Sequence, residues 1–140
     1  MHLEKQFDVK RSRQEAADII RQNETLVGLF PDSDTEIVAD EGQRKTTRTR
    51  YTALGREGTA TFHFDFAPDG DIAFEKVCDG NVWKRLSGKL SLRERGDSTR
   101  VRLQMEGKTK GLVPEFTIKG AMRDQLDEMA KALQQQLERS

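Results

Sequence analysis

The sequence predicts an α+β domain in which a seven-stranded antiparallel sheet wraps around a long C-terminal helix, with two short helices between strands one and two. Two observations predict it. Residues 35–110 carry period-two apolar patterns broken at short intervals by turn-forming dipeptides, the mark of strands joined by hairpins. After Pro114, apolar residues instead recur every three or four positions, which is helical spacing. No helix-length segment interrupts the middle stretch, and this excludes parallel βαβ topology, which needs long crossovers.

Each element follows from local chemistry. Leu3, Phe7 and Val9 share one parity, with Glu4, Gln6, Asp8 and Lys10 on the other. That alternation makes a half-buried first strand. Ser12 followed by Arg13-Gln14-Glu15 is a capping box that opens a helix with the stripe Ala16, Ala17, Ile19 and Ile20, since the hydroxyl and the carboxylate each satisfy an orphan amide. A second short helix is expected over 25–30, stopped by Pro31 because the residue before proline avoids helical angles. Turns are expected at Glu41-Gly42, Gly55-Arg56-Glu57-Gly58, Pro68-Asp69-Gly70-Asp71, Asp79-Gly80-Asn81 and Gly96-Asp97-Ser98. The final helix carries Ile118, Met122, Leu126, Met129, Leu133 and Leu137 as one stripe.

Parity then separates the sheet faces. Phe62, Phe64 and Phe66 share one face, as do Ile72, Phe74 and Cys78. So do Val82, Leu86, Leu90 and Leu92, and then Val101, Leu103 and Met105. These faces need a cover, and the C-terminal helix is the longest amphipathic partner. A twisted sheet cannot touch one helix across its whole width. The remaining space is either filled by large side chains or left as a cavity that suits apolar ligands.

Composition limits the functional classes. The 140 residues suit one domain spanning 1–140, and the chain is long enough to bury a substantial core. There are 24 basic and 24 acidic side chains, so no global field draws nucleic acid or membrane to it. Cys78 is the only cysteine, which fits a reducing cytoplasm, the expected location. The N-terminal residues do not read as a signal peptide, and no apolar run is long enough to span a membrane. The expected assembly is a monomer or homodimer.

Leu29-Phe30-Pro31, then Trp83, Ser87-Gly88, Leu90 and Leu92, Gly96, Thr99-Arg100-Val101, Pro114 and Phe116, and finally Leu133 and Leu137-Glu138 resemble the SRPBCC or START-like helix-grip superfamily. That group includes the polyketide cyclase and dehydrase family, relatives of a carbon monoxide dehydrogenase subunit, and the birch-pollen-allergen relatives. The resemblance covers nearly the whole chain. It implies the sheet order 2-3-4-5-6-7-1 and a cavity between sheet and long helix. It carries no catalytic residue onto this sequence, since no motif here matches one, and it does not select a function, because the superfamily hosts carriers, cyclases, dehydrases and interaction modules alike.

The expected ligand-binding set is Tyr51, Phe62, Phe64, Phe66, Phe74, Lys76, Trp83, Leu86, Leu103 and Met105 from the sheet, with Met122, Leu126 and Met129 from the helix. Lys76 shares parity with Ile72 and Phe74, and Lys84 with Leu86. Either ammonium faces the cavity or snorkels to water from a strand end. Thr47, Thr49 and Tyr51 share a parity and offer hydroxyls if that face is inward. Trp83 falls by parity on the outer face with Arg85, Lys89 and Arg93, unless a bulge turns it inward, and the resemblance favours the rim or pocket. Cys78 is expected to be buried beside Phe74 and His63 to lie on the outer face. His2, His63 and Cys78 have no metal-ligand spacing, and no cofactor is expected.

Three functions compete. The first is non-catalytic binding of a small apolar or amphipathic molecule. The second is a cyclase- or dehydratase-like enzyme using Tyr51 with Thr47, Thr49 or Lys76. The third is protein or RNA binding through a basic convex face built from Arg85, Lys89, Arg93, Arg95, Arg100, Arg102, Lys108 and Lys110. Nucleic acid is disfavoured, since no aromatic platform interleaves those charges.

Overall fold

The computed structural model describes residues 1–53 and 55–139. Strand β1 (His2–Val9) leads into helices α1 (Arg13–Ile20) and α2 (Asn23–Val27). Strands β2 (Asp34–Asp40), β3 (Arg44–Ala53), β4 (Arg56–Phe66), β5 (Ile72–Lys76), β6 (Trp83–Arg95) and β7 (Ser98–Thr109) follow. A 3₁₀ turn at Glu115–Thr117 precedes α3 (Lys119–Arg139). The seven strands form one antiparallel sheet in the order β1-β7-β6-β5-β4-β3-β2. This is the expected order read from the other edge.

The helix starts obey capping chemistry. The Ser12 hydroxyl accepts from the Glu15 amide at 3.1 Å, and the Glu15 carboxylate accepts from the Ser12 amide at 3.1 Å. Helix α2 lies at Asn23–Val27, earlier than expected from Pro31, and its N-cap Gln22 makes no side-chain capping bond. Without that local signal only the proline stop was legible. Gly70 and Gly96 turn their hairpins with φ of +96° and +62°, a region that a Cβ disfavours.

The inner face is as parity predicts along β4 to β7. Phe62, Phe64, Phe66, Ile72, Phe74, Leu86, Leu90, Leu92, Val101, Leu103 and Met105 are all buried. Opposite them, α3 buries Met122, Leu126, Met129, Ala130, Leu133 and Leu137. Helices α1 and α2 add Ala16, Ala17, Ile19, Ile20 and Leu26 to the same core.

Parity fails at the start of β6. Trp83 pairs with Thr109, but the next pair is Arg85 with Lys108. Two steps on β6 therefore match one on β7, a bulge that flips the faces upstream of it. Trp83 turns inward and is buried, whereas Val82, expected inward, is exposed. Lys84 occupies the bulge and faces solvent. Cys78, expected to be buried, is only half-buried, because β5 ends at Lys76 and the period-two rule ends with it.

Candidate functional site

The interior divides into two halves of different character. In one half, Ile20, Leu26 and Leu29 meet Phe64, Phe74, Leu103 and Met129 around a residual void of about 20 Å³. This half is essentially packed solid, because α1 and α2 fill it. The other half is open. A cavity of about 360 Å³ lies there, lined by Phe30, Ser33, Thr49, Tyr51, Ala60, Phe62, Lys76, Gly80, Asn81, Val82, Trp83, Leu86, Met122 and Gln125. That volume is at the small end of the range for small-molecule sites.

Six of the thirteen expected ligand-binding residues line this cavity: Tyr51, Phe62, Lys76, Trp83, Leu86 and Met122. Phe64, Phe74, Leu103 and Met129 border the packed half instead. Phe66, Met105 and Leu126 line neither space, although all three are buried. These seven residues are core in this structure, displaced from the cavity by α1 and α2 or by their place on the sheet. Phe66, for example, lies under the Arg21 guanidinium, 5.3 Å from its ring centre.

Residues outside the expected set complete the wall. Phe30 follows α2 and stacks on Phe62 with ring centres 5.6 Å apart. Its position before Pro31, at the end of a helix, was the available signal. Ala60 comes from the inner face of β4 by simple parity with Phe62. Ser33, Gly80 and Asn81 lie in loops, and Gln125 is half-buried on α3, where periodicity points to no cavity.

Several side chains are held in place. The Tyr51 ring lies over Gly58 of the paired strand, so close that a Cβ there would fall within 3.0 Å of it. Tyr51 is 40% exposed and also borders an open polar groove with Asp34, Arg50 and Glu57. It therefore forms the partition between cavity and solvent. Trp83 lies over Gly107 in the same way. The Thr49 hydroxyl bonds that of Thr35 at 2.8 Å. Thr47 is buried on the same face but does not reach the cavity.

Lys76 is half-buried on the cavity wall beside Phe62, its register partner on β4. Its ammonium donates to the Val77 carbonyl at 3.2 Å. Among the described residues it makes no ion pair, and none of those lining the cavity is a carboxylate or an imidazole. No group of three or more described His, Cys, Asp and Glu residues could hold a metal ion.

On the outer faces of β6 and β7, part of the basic charge is paired. Arg100 makes a two-pronged bond to Asp8 at 3.0 and 3.3 Å, and Arg102 bonds Glu4. Both arginines hold their carboxylates below the ordinary range, mainly through these hydrogen bonds. Lys89 lies 3.8 Å from Asp71. The neutralising groups belong to β1 and the β4–β5 turn, and β1 is the hydrogen-bonded neighbour of β7. On the same face His63 is half-buried, with its ring nitrogen 2.8 Å from the Thr46 hydroxyl.

No known-family profile matches the sequence. No curated protein sequence matches it either. Solved structures do share the architecture. The chain is similar to TTHA0849 from Thermus thermophilus, with a TM-score of 0.79, 17% identity and coverage of 98% of this chain and 97% of that one. It is also similar to the Zhui aromatase/cyclase from Streptomyces sp. R1128, with a TM-score of 0.76, 15% identity and coverage of 98% and 90%. A START superfamily protein from Mycobacterium smegmatis gives a TM-score of 0.76, 20% identity and coverage of 97% and 96%. The fold is therefore START-like, as the sequence resemblance implied. No helix among the described residues is long and apolar enough to cross a membrane.

Proposed function

We propose that the chain binds a small apolar or amphipathic molecule in the cavity between β3–β6 and α3, without transforming it. One observation carries this reading. The core is closely packed where α1 and α2 cover the sheet, yet about 360 Å³ stays open at the other end, walled by Phe30, Phe62, Trp83, Leu86 and Met122. Protein interiors rarely leave such space, because the lining atoms forfeit dispersion contacts. A guest would restore those contacts and remove apolar surface from water.

The sequence contains one Trp and one Tyr, and both line the cavity. Binding is therefore read directly from Trp83 emission during titration with a broad panel of apolar and amphipathic compounds. Saturable changes are expected for some of them. Ala60→Phe should abolish those changes while keeping the far-ultraviolet dichroism of the parent, since the cavity has room for the ring. A panel that produces no saturable change with the parent protein overturns the reading.

A second reading, a cyclase- or dehydratase-like enzyme, is favoured by the presence of Tyr51, Thr49 and Lys76 around one cavity and by the fold shared with an aromatase/cyclase. Acid–base chemistry needs a donor and an acceptor within reach of the substrate. The described lining offers only Tyr51 and Lys76 for those roles, so binding is the stronger reading. Conversion of a polyketide-like substrate by the parent, lost in Tyr51→Phe, would reverse that preference.

A further inference from the structure

We infer that the guest is an amphipathic anion, an apolar chain or ring ending in a carboxylate, with the carboxylate held at Lys76. The inference rests on the binding reading above and adds the charge and polarity of the guest.

The wall of the cavity is electrically one-sided. Lys76 is the only charged side chain among the described lining residues. Ion pairs are common elsewhere on the molecule. Lys5 lies 3.1 Å from Asp127, Arg44 lies 2.8 Å from Asp65, and Arg100 lies 3.0 Å from Asp8. Among the described residues, Lys76 instead bonds only the carbonyl of the next residue. An ammonium carries three donors, so two remain for a guest.

The geometry sets the guest's direction. Lys76 is the last residue of β5 and is paired in register with Phe62. Its stem therefore runs beside the aromatic wall, and its charge lies where the strand gives way to the loop at 77–82. Asn81 of that loop lines the same cavity and carries an amide that can donate. Phe62, Trp83, Leu86 and Met122 supply the apolar remainder. A carboxylate at Lys76 would place its chain along those residues.

Charge decides between guest classes. Beside low-dielectric walls, attraction between opposite charges is stronger than in water, and charge-assisted hydrogen bonds are stronger than neutral ones. A cationic guest would meet Lys76 with no lining carboxylate to offset it. A neutral guest offers the ammonium at most an uncharged acceptor, a weaker bond than a carboxylate's.

The test compares decanoate, decanamide and decylammonium at neutral pH, followed by Trp83 emission and calorimetry. The parent protein should bind decanoate about tenfold or more tighter than decanamide, with decylammonium weakest. Lys76→Met should remove the preference and leave decanamide affinity little changed. Lys76→Arg should keep the preference, and both variants are checked for native dichroism.

If the parent binds acid and amide equally, or Lys76→Met still prefers the acid, the inference is overturned while the binding reading stands. If none of the three binds but other panel compounds do, the inference is likewise overturned. If nothing in the broad panel binds, both fall together.

Discussion

Three aromatic rings on the inner face lie over glycines of the neighbouring strand: Tyr51 on Gly58, Phe74 on Gly88 and Trp83 on Gly107. A Cβ built at any of the three would lie within 3.0 Å of the ring. At Gly88 it would also meet the Gln104 carbonyl oxygen within that distance, and the backbone cannot swing aside. Gly88→Ala should therefore destabilise the fold by about 1–3 kcal/mol through overpacking, measured as a lower urea midpoint at unchanged slope. Gly58→Ala should cost less, because the ring it meets belongs to the half-exposed Tyr51, which can rotate outward. These pairings were not legible in the sequence. Parity places Phe74 and Gly88 on inward faces, but only the register between strands shows that they face each other.

Among the elements, β3 and β4 are tied on their outer faces by Arg44 and Asp65, with bonds of 2.8 and 3.1 Å between guanidinium and carboxylate. Arg44 holds the Asp65 carboxyl below its ordinary value of 3.8, chiefly through the hydrogen bond. A carboxyl lowered by folding contributes stability that is complete above its unfolded pKa and is lost as pH falls through the folded one. The tie should therefore be intact at neutral pH and fail in acid below the ordinary Asp value. Denaturant midpoints at neutral and acidic pH should converge for the parent and Asp65→Asn as the acid range is entered, with the parent ahead only above it. The strands from β4 to β7 were legible because each has one wet and one dry face. Their parity holds from Phe62 to Met105 apart from Cys78, which lies beyond the end of β5, and Val82, Trp83 and Lys84, where one inserted residue reverses the faces. The nearby Asp79-Gly80-Asn81 turn gives no sign of it. Helix α2 was misplaced because its start has no side-chain cap to read.

For the molecule as a whole, α3 serves two ends at once. Its C-terminal half buries Leu133 and Leu137, which are 2% and 0% exposed, in the packed core. Its N-terminal part presents Met122 and Gln125 to the cavity. Leu137→Ala should cost about 2–5 kcal/mol, seen as a large fall in thermal midpoint. The same change should leave the affinity of any guest of the folded protein nearly unaltered, because Leu137 does not line the cavity. The helix and the apolar sheet face were readable from period alone. The position of the cavity was not, because it depends on how far α1 and α2 reach across the sheet, and that is a long-range packing outcome. Hence the sequence spread the expected lining over both halves, whereas the open cavity lies in one. Because the cavity exists only in the folded chain, occupancy and melting are thermodynamically linked. A guest that binds only the folded chain, present at a hundred times its dissociation constant, would add about 2.7 kcal/mol to the free energy of unfolding. A rise in melting temperature thus makes a screen for guests of unknown chemistry, and none of them needs a chromophore.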